Sequence, residues 1–238
     1  MTEANESGPE TGHAPVKLDA VEARVLGCLI EKEATTPDVY PLSLNALANA
    51  CNQKNNRAPV MDVGEREVEG AVDRLRGKRL VTAFSGANAR AIKYKHRFSE
   101  RFPVESLAQA MVAELLLRGA QTTAGLRGNC ERMVAVPDLG ACEELLVHLS
   151  GGAEPLVRKL PRQAGQKEAR WVQVLTGEPS ADELAAGAGF EDARQPLKVE
   201  VAMTLPPDAE ARLAALETEV ATLKAELARL RASLGEEG

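Results

Sequence analysis

The chain has 238 residues, of which 44 % are hydrophobic, and a formal net charge of −6, so it is long enough for one or two domains with cores of their own. Aromatic residues make up only 3 %, which means those cores must be built from Leu, Val and Ala, a composition suited to small helical modules. No run approaches the ~20 apolar residues of a membrane span, and the acidic residues 1–17 lack the apolar centre of a signal peptide; a soluble, cytoplasmic protein is expected.

The net charge is unevenly distributed. Residues 50–101 carry twelve Lys/Arg against six Asp/Glu, whereas residues 178–238 carry six against thirteen. A basic segment and an acidic tail are hidden in the whole-chain figure. Cys28, Cys51, Cys130 and Cys142 are widely spaced with no Cys-x-x-Cys pair, the pattern of buried free thiols.

In chain order, residues 1–17 are rich in Gly, Pro, Glu and Thr and read as a disordered tail. A first domain is expected over residues 18–101. Asp19 followed by Glu22 predicts a capping box ahead of Val21, Val25, Leu26, Leu29 and Ile30. Pro37 and Pro41 then break the helix, and the segment between them crosses as an ordered loop or a short edge strand. Ser43 caps a second helix whose Leu44, Leu47, Ala48 and Cys51 share one face. Asp62 with Glu65 predicts the start of a third, in which Val68, Ala71, Val72 and Leu75 point inward until Gly77. Residues 80–84 and 91–96 are rich in strand formers and are separated by the turn-forming residues 85–89. Three helices followed by a hairpin is the order of a winged helix.

The same order then returns, which predicts a second domain over residues 102–176. A helix is expected over residues 104–118 with Gly119 as its stop, a short one over 124–130 capped by Thr123, another over 139–149 capped by Asp138, and strands over 156–160 and 169–174. The offset between copies falls from about 86 to about 76 residues, so the first copy carries roughly ten extra residues, which we place in 51–61. Residues 177–206 have no sustained period and read as a linker. In 207–235, Leu213, Leu216, Val220, Leu223, Leu227, Leu230 and Leu234 repeat with alternating spacing of three and four, the seam of a coiled coil. The flanking pairs Arg212 with Glu217, Glu219 with Lys224 and Glu226 with Arg231 are opposite in sign for a parallel dimer; an amphipathic helix packed on its own chain is the other reading. The expected fold class is therefore mainly α with small β-hairpins (α+β): tandem winged-helix domains plus a C-terminal coiled-coil helix that makes a homodimer.

Two stretches could contact a nucleic acid. The connector Lys54, Asn55, Asn56, Arg57 offers amides and cations suited to bases and phosphates, although a loop whose amides bond its own backbone fits nearly as well. In the second strand Lys93, Lys95 and Arg97 alternate with Ile92, Tyr94 and His96, so a basic stripe, extended by Arg90 in the loop, lies on the exposed side; lysines protecting an edge strand are the plainer account. The third helix presents Glu65, Arg66, Glu69, Gly70, Asp73 and Arg76, a mixture poor for phosphates and as well suited to a protein. In the second copy Arg127, Arg132, Arg162, Lys167 and Arg170 are candidates, and Trp171 falls in the apolar register of the core. No phosphate loop, nucleophile motif or metal-ligand spacing is present, so no enzyme, cofactor or metal is expected.

The run TPDVYPLSLNALANACNQKNNRAPVMDVGEREVEGAVDRLRGKRLV, followed by LRGNCERM, resembles the YceH-like family of bacterial proteins of unassigned function, over roughly residues 18–175. The resemblance implies a tandem winged-helix fold, a bacterial cytoplasmic setting and, from fold alone, transcription regulation; it brings no catalytic residue or cofactor. The expected function is a homodimeric, DNA-binding transcriptional regulator. The alternative is a protein-interaction scaffold on degenerate winged helices, similar to subunits of chromosome-condensation complexes.

Overall fold

The structure, a computed structural model, describes residues 15–85, 91–162 and 166–178 together with Thr222. Most of the N-terminal tail, the loop containing Arg90, most of the linker and all seven heptad residues from Leu213 to Leu234 lie outside the described residues. What is described is a mixed α+β arrangement of seven α-helices, a three-stranded antiparallel sheet and a two-stranded one.

Helix α1 (Ala20–Thr35) begins as expected, with the Asp19 carboxylate accepting from Glu22 N at 2.8 Å and the Glu22 carboxylate from Asp19 N at 2.7 Å. Its path ends at a 3-10 turn (Pro37–Val39) and a two-residue strand β1 (Leu42–Ser43). Ser43 caps α2 (Leu44–Cys51) through Ala46 N. Helix α3 (Glu65–Gly77) starts later than expected: Gly64, not Asp62, is the capping residue, and its N–H donates to Glu67 at 2.8 Å. The cause lies just upstream, where the Asn52 amide accepts from Val63 N at 2.8 Å and donates to Val63 O at 2.9 Å, holding that residue out of helical geometry. Strands β2 (Val81–Phe84) and β3 (Lys93–His96) pair antiparallel, and β1 adds to the other side of β3. A short α4 (Phe98–Arg101) follows.

The second copy runs α5 (Ser106–Arg118), α6 (Thr123–Cys130), α7 (Leu139–Leu149), β4 (Val157–Lys159) and β5 (Trp171–Gln173). Gly119 ends α5 at φ +74°, a conformation that favours glycine. Thr122 rather than Thr123 caps α6, accepting from Gly125 N at 3.1 Å, while Asp138 caps α7 as expected. The extra residues of the first copy are split rather than confined to 51–61. From Cys51 to Glu65 the chain advances 14 positions against nine from Cys130 to Leu139, and from Thr35 to Leu44 nine against five from Arg118 to Thr123. That second insertion supplies β1; its counterpart in the later copy is one bridge from Gln121 to Trp171.

Helix α1 is the centre of the core. It packs on α3 and α2 on one side and on α5 on the other, so every residue from Glu22 to Glu31 is buried. Such all-round burial explains why its period is weak compared with that of α3, which has a single buried stripe of Val68, Ala71, Val72 and Leu75. Contact with α5 is close at Gly27: a Cβ there would stand 2.9 Å from Leu117 Cγ and 3.2 Å from Leu116 Cβ. All four cysteines are buried and free.

Candidate nucleic-acid interface

The connector after α2 folds inward rather than outward. Arg57 has a fully buried side chain; its Nη2 donates to Glu31 Oε2 at 2.5 Å and to Gln53 Oε1 at 2.9 Å, and its Nε to Ala50 O at 3.1 Å. The expectation that Arg57 meets a phosphate is thereby corrected: a guanidinium with its donors engaged inside the protein has no face to offer. Asn56 takes φ +57°, where asparagine is among the tolerated residues, and its Oδ1 accepts from Arg118 at 3.1 Å. Lys54 and Asn55 remain exposed.

Glu31 gathers a second arginine. Arg132, in the turn after α6, donates from Nη1 to Glu31 and from Nη2 to Glu114 of α5. Burial alone would push the Glu31 carboxyl up, but the Arg57 hydrogen bonds and charge, joined by those of Arg132, outweigh it and hold the group below the usual carboxylate range. Glu114 goes the other way: burial dominates over the pull of Arg132 and raises its pKa. The two stretches that carried the resemblance, around Arg57 and around Arg132, therefore converge on one buried carboxylate. Arg57 and Arg132 thus tie α1, α5 and the turn after α6 together from within.

Of the eleven described cations in residues 50–101, six are held in ion pairs with carboxylates: Arg57, Arg74, Arg76, Lys78, Arg97 and Arg101. Arg97 is exposed and pairs with Glu100 in the next turn, Nε to Oε2 being 2.7 Å, a surface pair weak enough for a phosphate to displace. Lys93 and Lys95 are exposed with no ion pair described. Opposite them the register sets Phe84 against Lys93 and Thr82 against Lys95, so these four side chains share the outer face of the hairpin. Tyr94 and His96 turn inward as expected, both buried; Ile92 does not, being 53 % exposed.

The inward histidine is locked. His96 N donates to Tyr40 Oη at 2.8 Å, His96 Nδ1 accepts from Phe98 N at 3.3 Å, and Nε2 lies 2.7 Å from Glu33 Oε2. Acceptance at Nδ1 assigns the proton of the neutral ring to Nε2, donating to Glu33. Burial lowers its pKa, only partly opposed by the Glu33 carboxylate.

On α3 the exposed charged residues are Glu65, Arg66, Glu67, Glu69, Asp73, Arg74 and Arg76. Arg74 pairs with Asp19 at 2.8 Å and Arg76 with Asp73 at 3.0 Å. In the second copy Arg127 pairs with Glu131 at 3.3 Å, Arg170 is buried, and Arg162 and Lys167 are exposed. Sequence reasoning missed Glu31 and Glu114 as the counter-charges; the available signal was a charged residue closing the apolar run Val25–Ile30 on a helix with a glycine in its middle.

Among the described residues no helix is long and apolar enough to cross a membrane. A family model described as "Protein of unknown function, DUF480" matches residues 18–166. Curated relatives called "UPF0502 protein" include one from Geotalea uraniireducens, 44 % identical over 86 % of this chain and 89 % of its own length. One from Vibrio campbellii is 46 % identical over 86 % of this chain and 90 % of its own length, and one from Burkholderia pseudomallei is 43 % identical over 90 % and 92 %. With most of both sequences aligned at such identity, the chain belongs to the DUF480, or UPF0502, family of bacterial proteins.

Proposed function

We propose that the order α1, β1, α2, α3, β2, β3 is a winged helix, repeated from α5 to β5, and that the protein is a DNA-binding regulator that touches its target through the β2–β3 hairpin rather than through α3. The observation that carries this reading is the outer face of the hairpin, where Lys93 and Lys95 stand exposed with no ion pair to a carboxylate among the described residues, while on the open side of α3 Glu65, Glu67, Glu69 and Asp73 outnumber Arg66, Arg74 and Arg76. Phosphates are attracted more strongly to the first surface than to the mixed charges of the second. Lys54 and Asn55 in the connector, together with Arg97, supply further contacts, and the heptads of residues 213–234 pair two copies. The function is binding, without catalysis, cofactor or metal.

Equilibrium binding of a labelled random duplex across a salt series tests it. Lys93→Ala with Lys95→Ala should weaken binding and reduce the magnitude of the slope of log K on log salt by about 1.8, from ~0.9 per phosphate contact. Unchanged affinity and slope would remove the hairpin from the interface.

The acidic side of α3 favours a second reading, a scaffold that binds a protein. A nuclease-treated pull-down in which a partner is retained by the wild type and lost on Glu69→Lys with Asp73→Lys would support it; a partner released by the nuclease would not.

A further inference from the structure

We propose that the outer face of the β2–β3 hairpin takes single-stranded nucleic acid, with an unpaired base stacked on Phe84 and adjoining phosphates at Lys93 and Lys95. This rests on the reading above, since it uses the same face, and adds what that face selects.

Aromatic side chains are scarce in this chain, and those described are otherwise committed to packing: Tyr94, Phe98, Phe102 and Trp171 are buried and Tyr40 is half-buried. Phe84 alone among the described aromatics stands in solvent, 55 % exposed. Hydrophobic burial works against leaving that ring outside, so an apolar partner is the natural cover. Its cross-strand neighbour is Lys93, and Lys95 lies opposite Thr82 on the same face. Side chains directly opposite sit about 5 Å apart at Cβ, and Lys95 follows Lys93 at two residues, ~6.6 Å along the strand. A ring beside two ammonium groups on an antiparallel strand pair is the combination used for sequence-tolerant binding of single strands, in which bases stack on aromatics and phosphates follow the cations. A duplex fits the ring less well, because its bases are stacked on one another and the nearby α3 carboxylates Glu69 and Asp73, whose charges add to the burial that raises the pKa of Tyr94 and are opposed by Arg76, stand beside the hairpin. Charge complementarity thus favours a nucleic-acid strand over a neutral apolar partner.

Fluorescence anisotropy with a labelled oligothymidine and with a duplex of equal length separates the cases, using the full chain and variants at exposed positions that leave the core intact. The oligothymidine should bind more tightly than the duplex. Phe84→Ala should weaken it about 5- to 150-fold, the equivalent of losing one stacked base, with the salt slope unchanged. Lys93→Ala with Lys95→Ala should reduce the magnitude of that slope by ~1.4, from ~0.7 per phosphate on a single strand. If the duplex binds and Phe84→Ala is silent on the single strand, this inference falls and the DNA-binding reading stands. If neither oligonucleotide binds at low salt, both fall. Binding to anionic vesicles that is lost on Phe84→Ala, without binding to oligothymidine, would identify the face as a lipid surface and overturn the proposal.

Discussion

Replacing Arg57 by Ala separates a structural arginine from a phosphate-binding one. The side chain is fully buried, as is that of its partner Glu31 (0 % and 1 % exposed). The substitution removes hydrogen bonds to Glu31, Gln53 and Ala50 O. It leaves a buried carboxylate supported by the half-exposed Arg132 and, at 3.9 Å, by Lys32, and a carbonyl without its donor. Breaking a buried pair from one side costs about 3–5 kcal/mol, and the remaining arginine places the expectation at the lower end, near ~3 kcal/mol. With a urea slope of ~2 kcal/mol per M, the unfolding midpoint should fall by about 1.5 M at unchanged slope. The assay is equilibrium urea unfolding followed by circular dichroism, run beside DNA binding of whatever fraction stays folded at low denaturant. A variant with wild-type stability and lost DNA binding would refute the reasoning, because it would place Arg57 on the surface after all.

Other outcomes follow from the same geometry. Gly27→Val should lower stability by about 1–3 kcal/mol in a thermal melt, since its Cβ would stand 2.9 Å from Leu117 Cγ; wild-type melting would mean that α1 and α5 are not in contact there. Glu31 and Glu114 should give pH dependences of opposite sign. The Glu31 pKa is lowered, so its stabilisation is present above the ordinary glutamate pKa and is lost as pH falls through the depressed value. The Glu114 pKa is raised, so its ionised form weakens the fold as pH rises through that value. Glu31→Gln should therefore flatten the acid limb of stability against pH, while Glu114→Gln should hold or gain stability at pH 7; urea unfolding at a series of pH values from about 3 to 7 reads both, and matching profiles would contradict the assignment. The four buried thiols, with those of Cys130 and Cys142 pushed up by burial, should react with an aromatic disulfide reagent only after unfolding; rapid modification of the native protein would show them to be accessible.

How far the sequence leads depends on the range of the interaction concerned. Asp19 with Glu22, Ser43 and Asp138 were found as caps because the donor and acceptor lie within three residues, and the α3 stripe because one face of one helix is buried. Asp62 with Glu65 matched the same local pattern but lost to Asn52, whose bonds to Val63 come from 11 positions away. Thr123, the expected cap of α6, instead bonds Glu143 of α7. The fate of the cations was harder to foresee. Arg57 meets Glu31 across 26 positions and Arg132 meets it across 101, so the same residue types that suit phosphates in a linear reading are neutralised once α1, α5 and the two turns come together. Lys93 and Lys95 escaped because strand alternation, a two-residue period, already put them outside.

The central claim is that the hairpin, not α3, meets the nucleic acid. It is tested most directly by nuclear magnetic resonance, following backbone amides of the labelled protein as an oligonucleotide is added at low salt. The account predicts shifts concentrated at Thr82, Phe84, Lys93 and Lys95 with Glu69 and Asp73 unmoved; shifts centred on Glu69 and Asp73, or none on the hairpin, would contradict it.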